Sequence, residues 1–108
     1  MTVGELIEKC GFSPVCVPEP EREVSGCYIG DLLSWVMGKA QSGNVWVTIM
    51  SNVNIAAVAS LTDVAVIVLA EGVTLDESVV EVARQKGINI ASSSLPAYET
   101  AMKLGGIL

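Results

Sequence analysis

An unbroken apolar run, Val64-Ala65-Val66-Ile67-Val68-Leu69, lies between Thr62-Asp63 and Ala70-Glu71-Gly72. A strand that is apolar on both faces must be covered on both faces, which is the pattern of a central strand in a parallel sheet. The flanking segments agree. Val45 to Met50 reads as a mostly β-branched strand, Ile88 to Ala91 as another, and Val24 to Ile29 as a third, weakened at Gly26. Pro14 to Pro18 reads as a short extended segment bounded by prolines. Between them fall helical stretches. Thr2 and Glu5 form a capping box ahead of Leu6, Ile7 and Cys10, and Gly11 stops that helix. Asp31 is placed to cap a helix over Leu32 to Gln41. Ile55 to Leu61 forms a small helix, and Thr74 with Glu77 repeats the capping box before Val79, Val80, Val82 and Ala83. Pro96 opens a last helix through Leu104.

The order α-β-β-α-β-α-β-α-β-α predicts right-handed βαβ units: a three-layer α/β/α fold with a mostly parallel sheet of four to five strands. At 108 residues the chain suits one domain, with residues 1–23 as an N-terminal helix and extended segment and residues 24–104 as the α/β core. Half of the residues are apolar (51%) but only 5% are aromatic, so that core has to be aliphatic.

Composition removes several functions. Six Lys and Arg stand against twelve Asp and Glu, for a net charge of -6, and the cations are scattered. No basic stripe is available for nucleic acid or an anionic membrane. The longest apolar candidate, Val45 to Thr62, is interrupted by Ser51, Asn52 and Asn54, so no transmembrane helix is expected. The acidic, amphipathic start is unlike a secretory signal, and a cytoplasmic location is expected. There is no histidine, hence neither the commonest general base nor the commonest metal ligand. Cys10, Cys16 and Cys27 are an odd set without a C-x-x-C spacing; they read as small apolar residues, or alternatively as part of a metal site completed by a carboxylate or another chain. Gly38-Lys39 lacks the upstream glycine and the Ser or Thr of a phosphate loop, and Ser92 to Ser94 have no histidine to activate them. No catalytic residue and no cofactor is expected.

In an open parallel sheet, ligands bind beyond the carboxyl ends of the strands. Four such exits are legible: Gly30-Asp31, Ser51-Asn52-Val53-Asn54, Ala70-Glu71-Gly72 and Ser92-Ser93-Ser94. Candidate ligand contacts are therefore Asp31, Ser51, Asn52, Asn54, Glu71, Gly72, Ser92, Ser93 and Ser94; the other reading is that they cap helices and make turns. Asp31 and Glu71 could pair as carboxylates, or Glu71 could be an ordinary solvated loop residue. The second helix carries Leu32, Leu33, Trp35, Val36 and Met37 and is apolar nearly all round. Leu33, Trp35 and Met37, with Trp46, are candidate contacts of a homodimer. The competing account has the N-terminal helix fold over that same surface through Leu6, Ile7 and Cys10.

From Val24 to Leu104 the chain resembles a DRTGG domain, whose fold is similar to the N-terminal domain of HPr kinase/phosphorylase. The resemblance lies in Tyr28-Ile29-Gly30-Asp31, Val47-Thr48-Ile49-Met50-Ser51-Asn52, Val66 to Gly72, Gly87 to Ile90 and Pro96 to Thr100. Met50-Ser51-Asn52 stands where the family tends to have Gly-Asp-Arg, and Ala70-Glu71-Gly72 where it has Thr-Gly-Gly, so only Gly72 matches there. The resemblance implies an α/β domain that accompanies CBS-pair or phosphotransacetylase-type proteins and tends to dimerise. Stand-alone members are often called HPr serine kinases, but the kinase's phosphate loop lies outside the domain resembled, and the missing loop here agrees. Some stand-alone members resemble proteins encoded beside iron-only hydrogenase subunits. The leading expectation is a non-catalytic regulatory domain sensing a polar or anionic metabolite or nucleotide. The alternative is a dimeric interaction module, accessory to a hydrogenase or another enzyme complex; a small enzyme at the strand exits is the third reading.

Overall fold

A computed structural model describes all 108 residues. Thr2 opens α1 (Val3–Cys10): its hydroxyl accepts the Glu5 N–H at 3.2 Å, and its own N–H donates to Glu5 Oε1 at 2.9 Å. Gly11, at φ 70°, ends the helix in a left-handed conformation that costs glycine nothing. There follow β1 (Ser13–Cys16), β2 (Cys27–Ile29), α2 (Leu33–Lys39), β3 (Val45–Thr48), α3 (Asn54–Thr62), β4 (Val66–Leu69), α4 (Glu77–Gln85), β5 (Ile90–Ser92) and α5 (Ala97–Gly105).

The strands form one five-stranded sheet in the order β1-β5-β4-β3-β2. β2 to β5 run parallel, and β1 joins β5 antiparallel at one edge. Each crossover steps one strand in the same direction. Right-handed crossovers that never reverse put α2, α3 and α4 on one face. There Val36, Ile55, Val58 and Ala83 pack on Trp46, Ile67 and Ile90. The other face is left to the helices outside the crossovers. Leu6 and Ile7 of α1 and Leu104 of α5 cover Val45, Val47, Val66 and Val68. The expected α/β/α sandwich is therefore present, and every residue of β3 and β4 is buried. No helix is long and apolar enough to cross a membrane.

Several local expectations are corrected. Asp31 does not cap α2, whose N-cap is Leu32 without a side-chain bond. Asp31 Oδ1 instead accepts the Thr48 hydroxyl at 2.8 Å and the Ile49 N–H at 2.9 Å. These donors lie where β3 leaves the sheet and need an acceptor, and they outcompete the local helix start. Thr74 makes no capping box either; α4 begins at Glu77, with Asp76 at the N-cap. Regular β2 starts only at Cys27, because Gly26 takes a φ of 76° and the Val24 N–H bonds to the Met1 carbonyl. Trp46, offered as an interface residue, is fully buried, and its indole N–H donates to the Gly30 carbonyl at 2.9 Å. It belongs to the core. Nor does α1 cover α2, since the two lie on opposite faces of the sheet. Val36 is the buried residue of α2, and Leu33 is partly covered; Leu32, Trp35 and Met37 are 59%, 58% and 51% exposed.

Candidate functional site

Parallel pairing sets the four strand exits in a row. The ladder runs on past the strand ends: Gly30 N–H to Val47 O at 3.1 Å, Ala70 N–H to Thr48 O at 3.0 Å, and Ser93 N–H to Leu69 O at 2.7 Å. The exits of β2, β3, β4 and β5 consequently stand side by side at one end of the sheet. All nine ligand candidates belong to this end, but they divide into three groups.

Asp31 belongs to the first group, tied to Thr48 and Ile49 as described. The second is the exposed turn Ser51 to Asn54, in which Asn52 Oδ1 accepts the Asn54 N–H at 2.9 Å. That local bond is an ordinary use of asparagine before a helix. The third group joins the exits of β4 and β5. Glu71 and Gly72 both have positive φ, 62° and 68°. Their N–H groups donate to Leu95 O at 2.8 Å and Ser93 O at 2.9 Å. Glu71 Oε2 accepts the Ala97 N–H at 3.1 Å, so its carboxylate already occupies the electropositive start of α5. Ser93 is buried; its hydroxyl lies 2.8 Å from that of Thr100 and accepts the Leu95 N–H at 3.2 Å. Ser92 is half-buried and Ser94 exposed. Asp31 and Glu71 thus have different partners and are not paired.

Sequence reasoning missed Thr48 and Thr100, the hydroxyls that organise the first and third groups. The available signal was a threonine on an otherwise buried strand or helix face. It also missed a polar cleft at the opposite end of the sheet. This cavity, about 200 Å³, is lined by Glu19, Arg22, Asp63, Lys86 and Asn89 among others. Asn89 is 2% exposed, and its amide clamps the strap that carries Glu19. Nδ2 donates to Glu19 O at 2.8 Å and Ala65 O at 3.0 Å, while Oδ1 accepts the Glu19 N–H at 2.9 Å. Arg22 donates to Asp63 Oδ1 at 3.0 Å and to the Asp63 carbonyl at 2.8 Å. The Ser42 hydroxyl also bonds Asp63; this bond, then Arg22, holds its carboxyl below the usual range. An asparagine inside Ile88-Asn89-Ile90 was the sequence signal for this network. The second hollow is apolar and lies on α5, around Tyr98 and Met102. Neither cavity opens among the strand exits.

The thiols lie apart. Cys10 and Cys16 sit in the two opposite cores, where burial pushes their thiols up. Cys27 is exposed on β2, and desolvation pushes its thiol up to about 11. That is the opposite of the shift a nucleophilic or metal-binding thiolate needs. No group of three Cys, Asp or Glu side chains converges to hold a metal ion.

No family model and no curated protein matches this chain. Among solved structures it resembles the CBS and DRTGG domains of the regulatory region of a Clostridium perfringens pyrophosphatase, crystallised with its activator diadenosine tetraphosphate. The TM-score is 0.74 at 10% sequence identity, over 95% of this chain and 45% of that one. At that identity the likeness is one of fold, and it fits the DRTGG-like architecture that the sequence resemblance implies. This chain spans less than half of that structure.

Proposed function

We propose that the chain is a non-catalytic regulatory domain that senses a nucleotide or a related polar metabolite across its strand-exit loops. The observation that carries this reading is the row of four exits brought together at the carboxyl end of the parallel strands, the usual ligand end of such sheets. Support comes from the fold shared with a regulatory region that was crystallised with a nucleotide activator. The charges already in the loops orient the ligand. Glu71 fills the start of α5, Asp31 precedes α2, and α4 carries Glu77 in its first turn. The first turn of α3 has no acidic residue, so a phosphate is expected above Ser51 and Asn52. The rest of the ligand then meets Asn54, Gly72 and the serines at the end of β5.

A thermal-shift panel with diadenosine tetraphosphate, ATP, ADP and AMP tests this reading. A ligand at 100 times its Kd adds about 2.7 kcal/mol, which for a domain of this size raises Tm by on the order of 10–20 °C. Ser51→Asp, which sets a negative charge against the phosphate, is expected to abolish the rise. No rise with any nucleotide overturns the reading. So does a rise that survives Ser51→Asp and disappears in Lys86→Ala, because that ligand would sit in the cleft at the other end.

A further inference from the structure

Two helices stop at the polar cleft on the far end of the sheet. α3 closes on Asp63 and α4 on Lys86 and Gly87, and all three residues line the cavity. A helix ends in free carbonyls with a partial negative charge, which cations offset and carboxylates aggravate. Both ends nonetheless hold a carboxylate. Asp63 caps α3 itself. Glu19 reaches α4 from the strap, its Oε1 standing 3.6 Å from the point that a Cβ on Gly87 would occupy.

Only the first of these ends is neutralised. Arg22 donates to both the Asp63 carboxylate and the Asp63 carbonyl. The Glu19 carboxylate takes part in none of the chain's three ion pairs, and neither does Lys86, the second cation of the cavity wall. Both residues stand on fixed backbone. Asn89 holds the Glu19 N–H and C=O, and the Lys86 N–H donates to Val82 O at 3.1 Å. One cavity therefore presents two charges of opposite sign that do not bridge each other.

This arrangement selects by charge and by size. A bare anion would meet Glu19, Asp63 and the carboxyl ends of two helices. A metal ion would meet Lys86 and Arg22, and no three acidic or thiol groups converge to hold it. An apolar molecule finds a mostly polar wall. The volume of about 200 Å³ lies below the roughly 300–1,000 Å³ of pockets for drug-sized ligands, which excludes a nucleotide. It has room for roughly seven waters, and so for an amino acid with a short side chain. We infer that the cleft binds a small zwitterion, a free α-amino acid, with its ammonium group between Glu19 and the last carbonyls of α4 and its carboxylate on Lys86. The ammonium then does at α4 what the Arg22 guanidinium does at α3, and its three donors meet an acceptor-rich corner. This cleft is remote from the strand exits, so the two sites fill and fail independently.

Calorimetric titration of the full chain with each standard amino acid in turn, beside a thermal-shift series, tests this. A short-chain amino acid is expected to bind and, at ten times its Kd, to raise Tm by roughly 5–10 °C. Tryptophan and phenylalanine are expected not to bind. The N-acetyl and amide derivatives of the best binder, each lacking one charge, are expected to bind about tenfold more weakly or worse. Glu19→Gln and Lys86→Ala are each expected to weaken binding by about the same factor. Neither side chain is paired within the chain, so the free variants should melt within a few degrees of the wild type. Ser51→Asp, at the other end of the sheet, is expected to leave amino-acid binding unchanged. Absence of binding by any amino acid at millimolar concentration overturns the proposal. So does binding that the N-acetyl derivative reproduces, or that survives both Glu19→Gln and Lys86→Ala.

Discussion

Replacing Asn89 with alanine separates a structural clamp from a ligand-binding amide. The side chain makes three hydrogen bonds, to Glu19 O, Ala65 O and the Glu19 N–H. Ala65 is only 2% exposed, so water cannot readily replace the lost donor at its carbonyl. A buried acceptor left without its donor costs about 1–3 kcal/mol. Glu19 is exposed, and its two backbone groups can turn to solvent, forfeiting about 0.5–1.5 kcal/mol each. The expected loss is about 3 kcal/mol, a large fraction of the roughly 5–15 kcal/mol available to a domain of this size. Urea denaturation read by tryptophan fluorescence measures it, through a lower midpoint at unchanged slope. Asn89→Asp gives a sharper contrast. Its carboxylate would face the Ala65 and Glu19 carbonyl oxygens, which disfavour the ionised form and raise the folded-state pKa. Stability of this variant should therefore match the wild type most closely at low pH, and fall as pH rises above the unfolded value of about 3.9. A loss under about 1 kcal/mol for Asn89→Ala, or no pH dependence in the Asp variant, would refute the clamp.

Trp46→Phe removes the bond to the Gly30 carbonyl and leaves space in a fully buried site; a loss of about 2–3 kcal/mol is expected in chemical denaturation. Glu71→Ala loses the bond to the Ala97 N–H but keeps a side chain at φ 62°, whereas Glu71→Gly loses the same bond and relieves the strain. The glycine variant should be the more stable of the two by about 1 kcal/mol, and equal melting temperatures would argue against strain at this turn. The Asp63 carboxyl, lowered by Ser42 and then Arg22, contributes stability that is present above its unfolded pKa and lost as pH falls through the folded value. Asp63→Asn should flatten the acid limb of the stability–pH curve, measured as Tm between about pH 5 and pH 3.

Much of the architecture is written locally. A short run that is mostly β-branched and apolar on both faces, as in Val66 to Leu69, reads as a covered strand. Thr2 with Glu5 can satisfy helix-start donors without any distant partner, and that capping box is present. Strands alternating with helices, together with right-handed crossovers, restrict the sheet to a few topologies. What local sequence does not hold is the direction in which successive crossovers step. Here they never reverse, and that choice puts three helices on one face and leaves β2 at an edge. The two tryptophans show the consequence. Trp35 and Trp46 stand in similarly apolar stretches, yet one is 58% exposed and the other fully buried. Trp46 lies on a strand between two others, whereas Trp35 lies on the helix beside the edge, with no further helix beyond it. The same holds for Asp31, Ser93 and Asn89. Their polar atoms bond to Thr48, Thr100, Glu19 and Ala65, between 7 and 70 residues away. A short polar side chain bonds whichever donor or acceptor the packed chain leaves unsatisfied within its reach, and the order of strands in the sheet decides which one that is.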